Sequence, residues 1–82
     1  MARVDLQSTL LNAATYQDQS AFLDLEFRRG ATYRYIGVPE RVYQELLNAE
    51  SKGRYFNQHI RNRFTQVKID PGQRPSPRFR PP

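Results

Sequence analysis

No cysteine occurs in the 82 residues. That removes disulfides, thiolate metal sites and cysteine nucleophiles together, and it is the usual state of a chain that folds in a reducing cytosol. Histidine occurs once, and Ser8, Ser20, Ser51 and Ser76 stand in no nucleophile elbow, phosphate loop or metal-ligand spacing. His59 reads as a helix-packing residue, and Glu45 and Glu50 as a solvated helix face, so neither an enzyme nor a cofactor or metal is expected. No stretch approaches the roughly 20 apolar residues of a membrane span. The opening MARVDLQSTLLNAATYQ carries Asp5 and polar interruptions where a signal peptide needs an unbroken apolar run. A soluble, cytoplasmic protein without a membrane partner is expected.

Charge is present in excess of one sign, and it is unevenly spread. Residues 1 to 51 hold five arginines against seven acids, a net of −2, whereas residues 52 to 82 hold eight basic residues against Asp70, a net of +7. Such a concentrated basic field favours polyanions or acidic protein surfaces. Eleven of the thirteen basic residues are arginine, whose planar fork suits phosphate contacts and stacking on bases. A chain of this length forms one small domain that buries only about 60% of its unfolded surface.

Patterning divides the chain into strands and then helices. Residues 8 to 16, STLLNAATY, suit a first strand, with QDQS at 17 to 20 as a turn. The next run alternates Leu23, Leu25 and Phe27 with Asp24, Glu26 and Arg28, the period of a half-buried strand. A three-residue loop of Arg28, Arg29 and Gly30, with the glycine at positive φ, sets Phe27 against Ala31, Leu25 against Tyr33 and Leu23 against Tyr35. Both tyrosines then share the core face. A two-residue loop would turn both rings outward as a stacking platform and bury Arg34.

Pro39 fits the first turn of a helix, followed by Glu40. Val42, Leu46 and Ala49, with Tyr43 and Leu47 alongside, recur at amphipathic spacing, and Gly53 is expected to cap the helix end. A second short helix over about residues 53 to 62 would bury Phe56 and Ile60. Residues 64 to 69, FTQVKI, either return as an edge strand or pack across the helices. The expected fold is α+β: an antiparallel sheet of about three strands, with room for a fourth, packed with two short helices. Its core would hold Leu23, Leu25, Phe27, Val42, Leu46, Phe56 and Ile60.

Three regions follow: a lead-in over 1–9, the folded domain over 10–69 and a basic tail over 70–82. The tail has five prolines in its last twelve residues, too little apolar mass to offset its ordering entropy, and is expected to be disordered.

The run from Leu23 to Phe64, with its YRY and its VYQELLNAESKGRYFNQHIRNRF, closely resembles the KTSC domain, a small module found at the C-terminus of some lysyl-tRNA synthetases and as a stand-alone bacterial protein. The likeness covers about residues 10 to 69. Carried over, its motif positions here are Tyr33, Tyr35, Gly37, Val38, Pro39, Tyr43, Ser51, Lys52, Gly53, Tyr55, Phe56, Asn57, His59, Ile60 and Arg61. The family has no established activity, and the attachment to a synthetase suggests RNA binding. The chain has no room for an aminoacylation domain, and the proline-arginine tail is not part of the family pattern.

The leading expectation is a non-catalytic module that binds RNA through a basic helix face and the tail. Lys52, Arg54, Arg61 and Arg63 would contact phosphates, Asn57 and Gln58 base edges, and Arg74, Arg78 and Arg80 would add charge from the tail. Tyr33 and Tyr35 are the candidate stacking residues. The alternative is a protein-interaction module docking an acidic protein surface. A helix-turn-helix reading DNA would use the same helix, but the strands before Pro39 argue against it.

Overall fold

The computed structural model describes residues 3–69. Five strands, β1 (Arg3–Asp5), β2 (Leu11–Gln17), β3 (Phe22–Phe27), β4 (Thr32–Ile36) and β5 (Thr65–Ile69), form one sheet in that order, with every neighbouring pair antiparallel. Between β4 and β5 the chain makes helix α1 (Glu40–Asn48) and a shorter helix α2 (Lys52–Tyr55), which runs on as a π-helical turn, Phe56–Ile60. The α+β class is as expected. The strand count is not: the sheet has five strands, not three or four. β1 escapes notice because three residues, with Val4 between Arg3 and Asp5, are too short to show a period of their own. It lies inside the stretch read as a lead-in, and Leu6 just after it is buried.

The β3–β4 hairpin has the register that its alternation requires. Leu25 pairs with Tyr33 and Leu23 with Tyr35. The Phe27 amide donates to the Ala31 carbonyl at 2.8 Å and the Gly30 amide to the Phe27 carbonyl at 2.9 Å, with Gly30 at φ 109. A side chain would strain that conformation.

On one face of the sheet, Leu11, Ala14, Leu23, Leu25, Phe27 and Tyr35 meet Val42 and Leu46 of α1 and Phe56 and Ile60 of the π turn. All seven residues expected in the core are buried there. A bulge between Leu11 and Ala13 lets Leu11 and Ala14 both point at the helices although three residues apart. Tyr16 donates its hydroxyl to the Val38 carbonyl at 2.6 Å and stacks on Tyr43 of α1, centroids 5.0 Å apart. This clamps the start of the helix to β2.

Among the described residues no helix covers the other face. Charged pairs cross it instead: Arg3 donates to Glu26 at 2.8 and 3.1 Å, and Arg34 to Asp24 at 2.8 and 3.0 Å, with the Arg34 guanidinium 4.7 Å from the Phe22 ring centre. Beside them Ile36 and Val67 are 37% and 45% exposed.

Two helix boundaries differ from the expected ones. Gly53 does not cap α1, which ends at Asn48 with Ala49 in extended conformation. Ser51 restarts the helix by accepting the Arg54 amide on its Oγ at 3.3 Å, and Gly53 sits inside α2 instead. Pro39 is the residue just before α1, its carbonyl accepting from the Val42 amide at 3.0 Å. Among the described residues no helix is long and apolar enough to cross a membrane.

Candidate functional site

Tyr35 of β4 is in the core beneath the helices, whereas among the described residues nothing covers Gln66 and Lys68 of β5 on the same side of the sheet. There β5 faces β4 with Tyr35 paired to Gln66 and Tyr33 to Lys68. The π turn overhangs from above. Its i to i+5 hydrogen bond, from the Arg61 amide to the Phe56 carbonyl at 2.8 Å, closes the turn with Phe56 and Ile60 buried. Asn57 and Arg61 are exposed one turn apart, and Arg61 Nη1 donates to Asn57 Oδ1 at 3.5 Å.

The result is a cleft of about 390 Å³. Phe27, Tyr33, Tyr35 and Phe56 form its aromatic wall with Leu10, and Arg29, Asn57, Arg61 and Gln66 supply its polar groups. A second cleft of about 490 Å³ shares Arg29 and Tyr33 and adds Gly30, Ala31 and Lys68. Among the described residues neither is lined by a carboxylate. The aromatic wall is fixed by edge contacts: the Phe27 ring is 5.8 Å from Tyr33 and 5.3 Å from Phe56, and Phe56 is 5.8 Å from Tyr35, all near perpendicular. Such contacts hold rings in place more firmly than burial alone. Arg29 leans over Phe27 with its guanidinium 5.9 Å from the ring centre.

Tyr35 is 1% exposed. Burial, with Tyr33 adding to it and Arg61 opposing it, pushes its phenol up to about 12, so it remains a neutral donor at physiological pH. The two tyrosines share the helix-side face, as the hairpin register demands, and still line an opening, because that face continues past the helices. Tyr33 is half-buried and borders both clefts.

The sequence-derived contact residues are not gathered on one helix face. Asn57 and Arg61 line the first cleft, with Tyr33 and Tyr35. Lys52 is elsewhere: its Nζ donates to the Ala49 carbonyl at 3.0 Å, tying off the end of α1, and it borders a separate hollow with Ser8, Glu50 and Ser51. Arg54, Gln58 and Arg63 are exposed and line neither cleft. Arg74, Arg78 and Arg80 lie outside the described residues. Sequence reasoning missed Arg29, Gln66 and Lys68. The signal for the last two is the alternation of β5 once it is paired to β4, which puts them on the tyrosine side.

His59 packs its ring 4.5 Å from that of Tyr55, whose hydroxyl donates to Glu45 Oε1 at 2.6 Å. This group ties the π turn to α1. Among the described residues no group of three or more His, Asp or Glu is placed to hold a metal ion.

The KTSC domain profile matches residues 7–64, which spans β2 to β4, both helices and the aromatic wall and stops just before β5. The chain belongs to the KTSC domain family. A crystal structure of a KTSC domain protein from Yersinia pestis superposes with a TM-score of 0.80 at 37% identity, over 83% of this chain and 96% of that one. A protein of Stutzerimonas stutzeri is 50% identical over 58 residues, 71% of this chain and 82% of its own length. A lysine–tRNA ligase of a Nostoc species is 40% identical over 63 residues, 77% of this chain and 11% of the ligase. The KTSC domain is a small module and not a known catalytic one. Among its motif positions, Ser51, Gly53, Tyr43, Phe56 and Ile60 have structural roles here, in capping, close packing or the core. Tyr33, Tyr35, Asn57 and Arg61 are the ones that reach the cleft.

Proposed function

We propose that this KTSC domain is a non-catalytic RNA-binding module. The observation that carries this is the composition of the paired clefts: Arg29, Arg61 and Lys68 at the rim, side-chain amides at Asn57 and Gln66, an aromatic wall and, among the described residues, no acid. Cations meet phosphates, amides carry the donors and acceptors that base edges require, and rings offer stacking surfaces. The occurrence of a homologous segment within a lysine–tRNA ligase supports the same reading. The groove replaces the helix face of Lys52, Arg54, Gln58 and Arg63 as the centre of binding, and those residues add long-range charge. An acidic protein surface would meet the same cations but has less use for the aromatic wall. The protein acts in the cytoplasm on this reading.

The test is a titration of labelled tRNA and an equal-length single-stranded DNA at two salt concentrations, with a pull-down from nuclease-treated lysate. RNA binding that weakens linearly in log affinity with log salt is expected. If neither nucleic acid binds more tightly than about 100 μM at low salt, the loose end of non-specific binding, while a protein survives the nuclease step, the acidic-protein reading replaces this one.

A further inference from the structure

The two clefts adjoin and share Tyr33 and Arg29. Tyr33 borders both, with Asn57, Arg61 and Gln66 on one side of it and Gly30, Ala31 and Lys68 on the other, and Arg29 reaches both. The polar groups therefore sort along the groove. Amides with donors and acceptors lie on the Tyr35 side, and among the described residues the second cleft adds Gly30, Ala31 and the cationic Lys68. Each cleft, at about 390 and 490 Å³, falls within the 300–1,000 Å³ range common for small-ligand sites.

Resting on the RNA reading, we propose that the groove takes unpaired RNA, with one base held against Tyr33 on the amide side and the adjoining phosphate between Arg29 and Lys68. A base in a duplex has both faces covered by its neighbours and its pairing edge occupied, so it offers neither the ring surface to Tyr33 nor the edge to Asn57 and Gln66. A splayed base offers both. The wall of the cleft is concave, bounded by the π turn on one side and β5 on the other, which suits a single projecting base and opposes a helical surface. The phosphate subsite gives no discrimination by itself, since any polyanion satisfies it. Discrimination comes from the tyrosine side.

The experiment compares full-length protein binding to a ten-nucleotide single-stranded RNA, the same RNA annealed to its complement, and a free mononucleotide, at one salt concentration. Single strand should bind at least about ten times more tightly than duplex, and the mononucleotide far more weakly than the strand. Tyr33→Phe should keep the preference, because the ring remains. Tyr33→Leu keeps apolar bulk but removes the π face, and should weaken single-strand binding roughly five- to hundred-fold, the range for one stacked base, while leaving duplex binding unchanged. An amide NMR spectrum checks that this variant is folded; if it is not, the strand-to-duplex ratio of the unaltered protein decides alone. Equal affinity for duplex and single strand, or unchanged strand binding in a folded Tyr33→Leu, overturns this inference and leaves RNA binding standing. A mononucleotide that binds as tightly as the strand overturns the strand assignment. Absence of binding by all three sinks the RNA reading itself.

Discussion

Tyr33 of β4 stands directly across from Lys68 of β5, so that an aromatic ring and an ammonium group share one wall of an open cleft. The pairing exists because β5 adds to the sheet beyond the reach of the helices. An edge strand that is exposed along most of its length contributes little to the core, and its groove-facing residues are free to be polar.

Lys68 is exposed and makes no ion pair among the described residues. Replacing it with alanine should change stability by no more than about 0.5 kcal/mol. If it meets a phosphate, Lys68→Ala should reduce the slope of log affinity against log salt by about 0.7, the single-strand value for one contact. Arg63→Ala, outside both clefts, should change that slope less. Equal effects at the two positions would show that only bulk charge matters.

Phe56 is 5% exposed and packs edge-on with both Phe27 and Tyr35. Phe56→Ala should cost about 3 to 5 kcal/mol. A domain of this size has only about 4 to 12 kcal/mol in total, so urea denaturation should show a large fall in midpoint or an unfolded chain. A loss below about 1 kcal/mol would mean that the ring is not shared by the sheet and the π turn.

The parts of the fold that were legible are those where burial and period agree. Leu23, Leu25 and Phe27 alternate because one face of β3 lies under the helices, and Gly30 fixes the pairing partner of each. Val42 and Leu46 show α1 for the same reason. β5 was only half legible because burial there runs against residue type: Val67 and Ile69 point to the face without helices, and Gln66 and Lys68 to the groove. No hydrophobicity rule assigns faces to a strand that lies outside the core. The π turn was not legible either. Its sequence, FNQHI, has the same buried pair four residues apart that an α-helix would show. The candidate site drew on both of these places, the π turn and the edge strand, and on Arg29 of the hairpin loop, whose register was legible but whose reach into the cleft was not; only Asn57, Arg61 and the two tyrosines were anticipated.

Gly53 gives a prediction of opposite sign. It lies inside α2, and a Cβ there would sit 3.4 Å from Leu10 Cβ, at the near edge of ordinary contact. Alanine costs less backbone entropy than glycine in a helix, by roughly 0.5–1 kcal/mol. Gly53→Ala should therefore raise the urea midpoint slightly or leave it unchanged, whereas Gly53→Leu should lower it by displacing Leu10. Destabilisation by alanine as large as by leucine would mean that the contact is already too tight for any side chain.

Alkaline pH should weaken the fold through its tyrosines. Burial raises Tyr16, Tyr35 and Tyr43, and burial together with the hydrogen bond to Glu45 raises Tyr55; Tyr35 and Tyr55 both reach about 12. In the unfolded chain a tyrosine ionises near 10. Between these values the native state holds protons that the unfolded state has released, so stability is fully present below about pH 10 and falls as pH rises towards 12. Tyr35→Phe should make that fall shallower. Arg61 acts on the same phenol in the other direction, its charge favouring the phenolate. Removing it in Arg61→Ala should move the Tyr35 ionisation higher still, read as tyrosinate absorbance during a pH titration and assigned by its disappearance in the Arg61→Ala, Tyr35→Phe double variant. A shift to lower pH in Arg61→Ala would place the guanidinium away from Tyr35 and separate the two sides of the cleft.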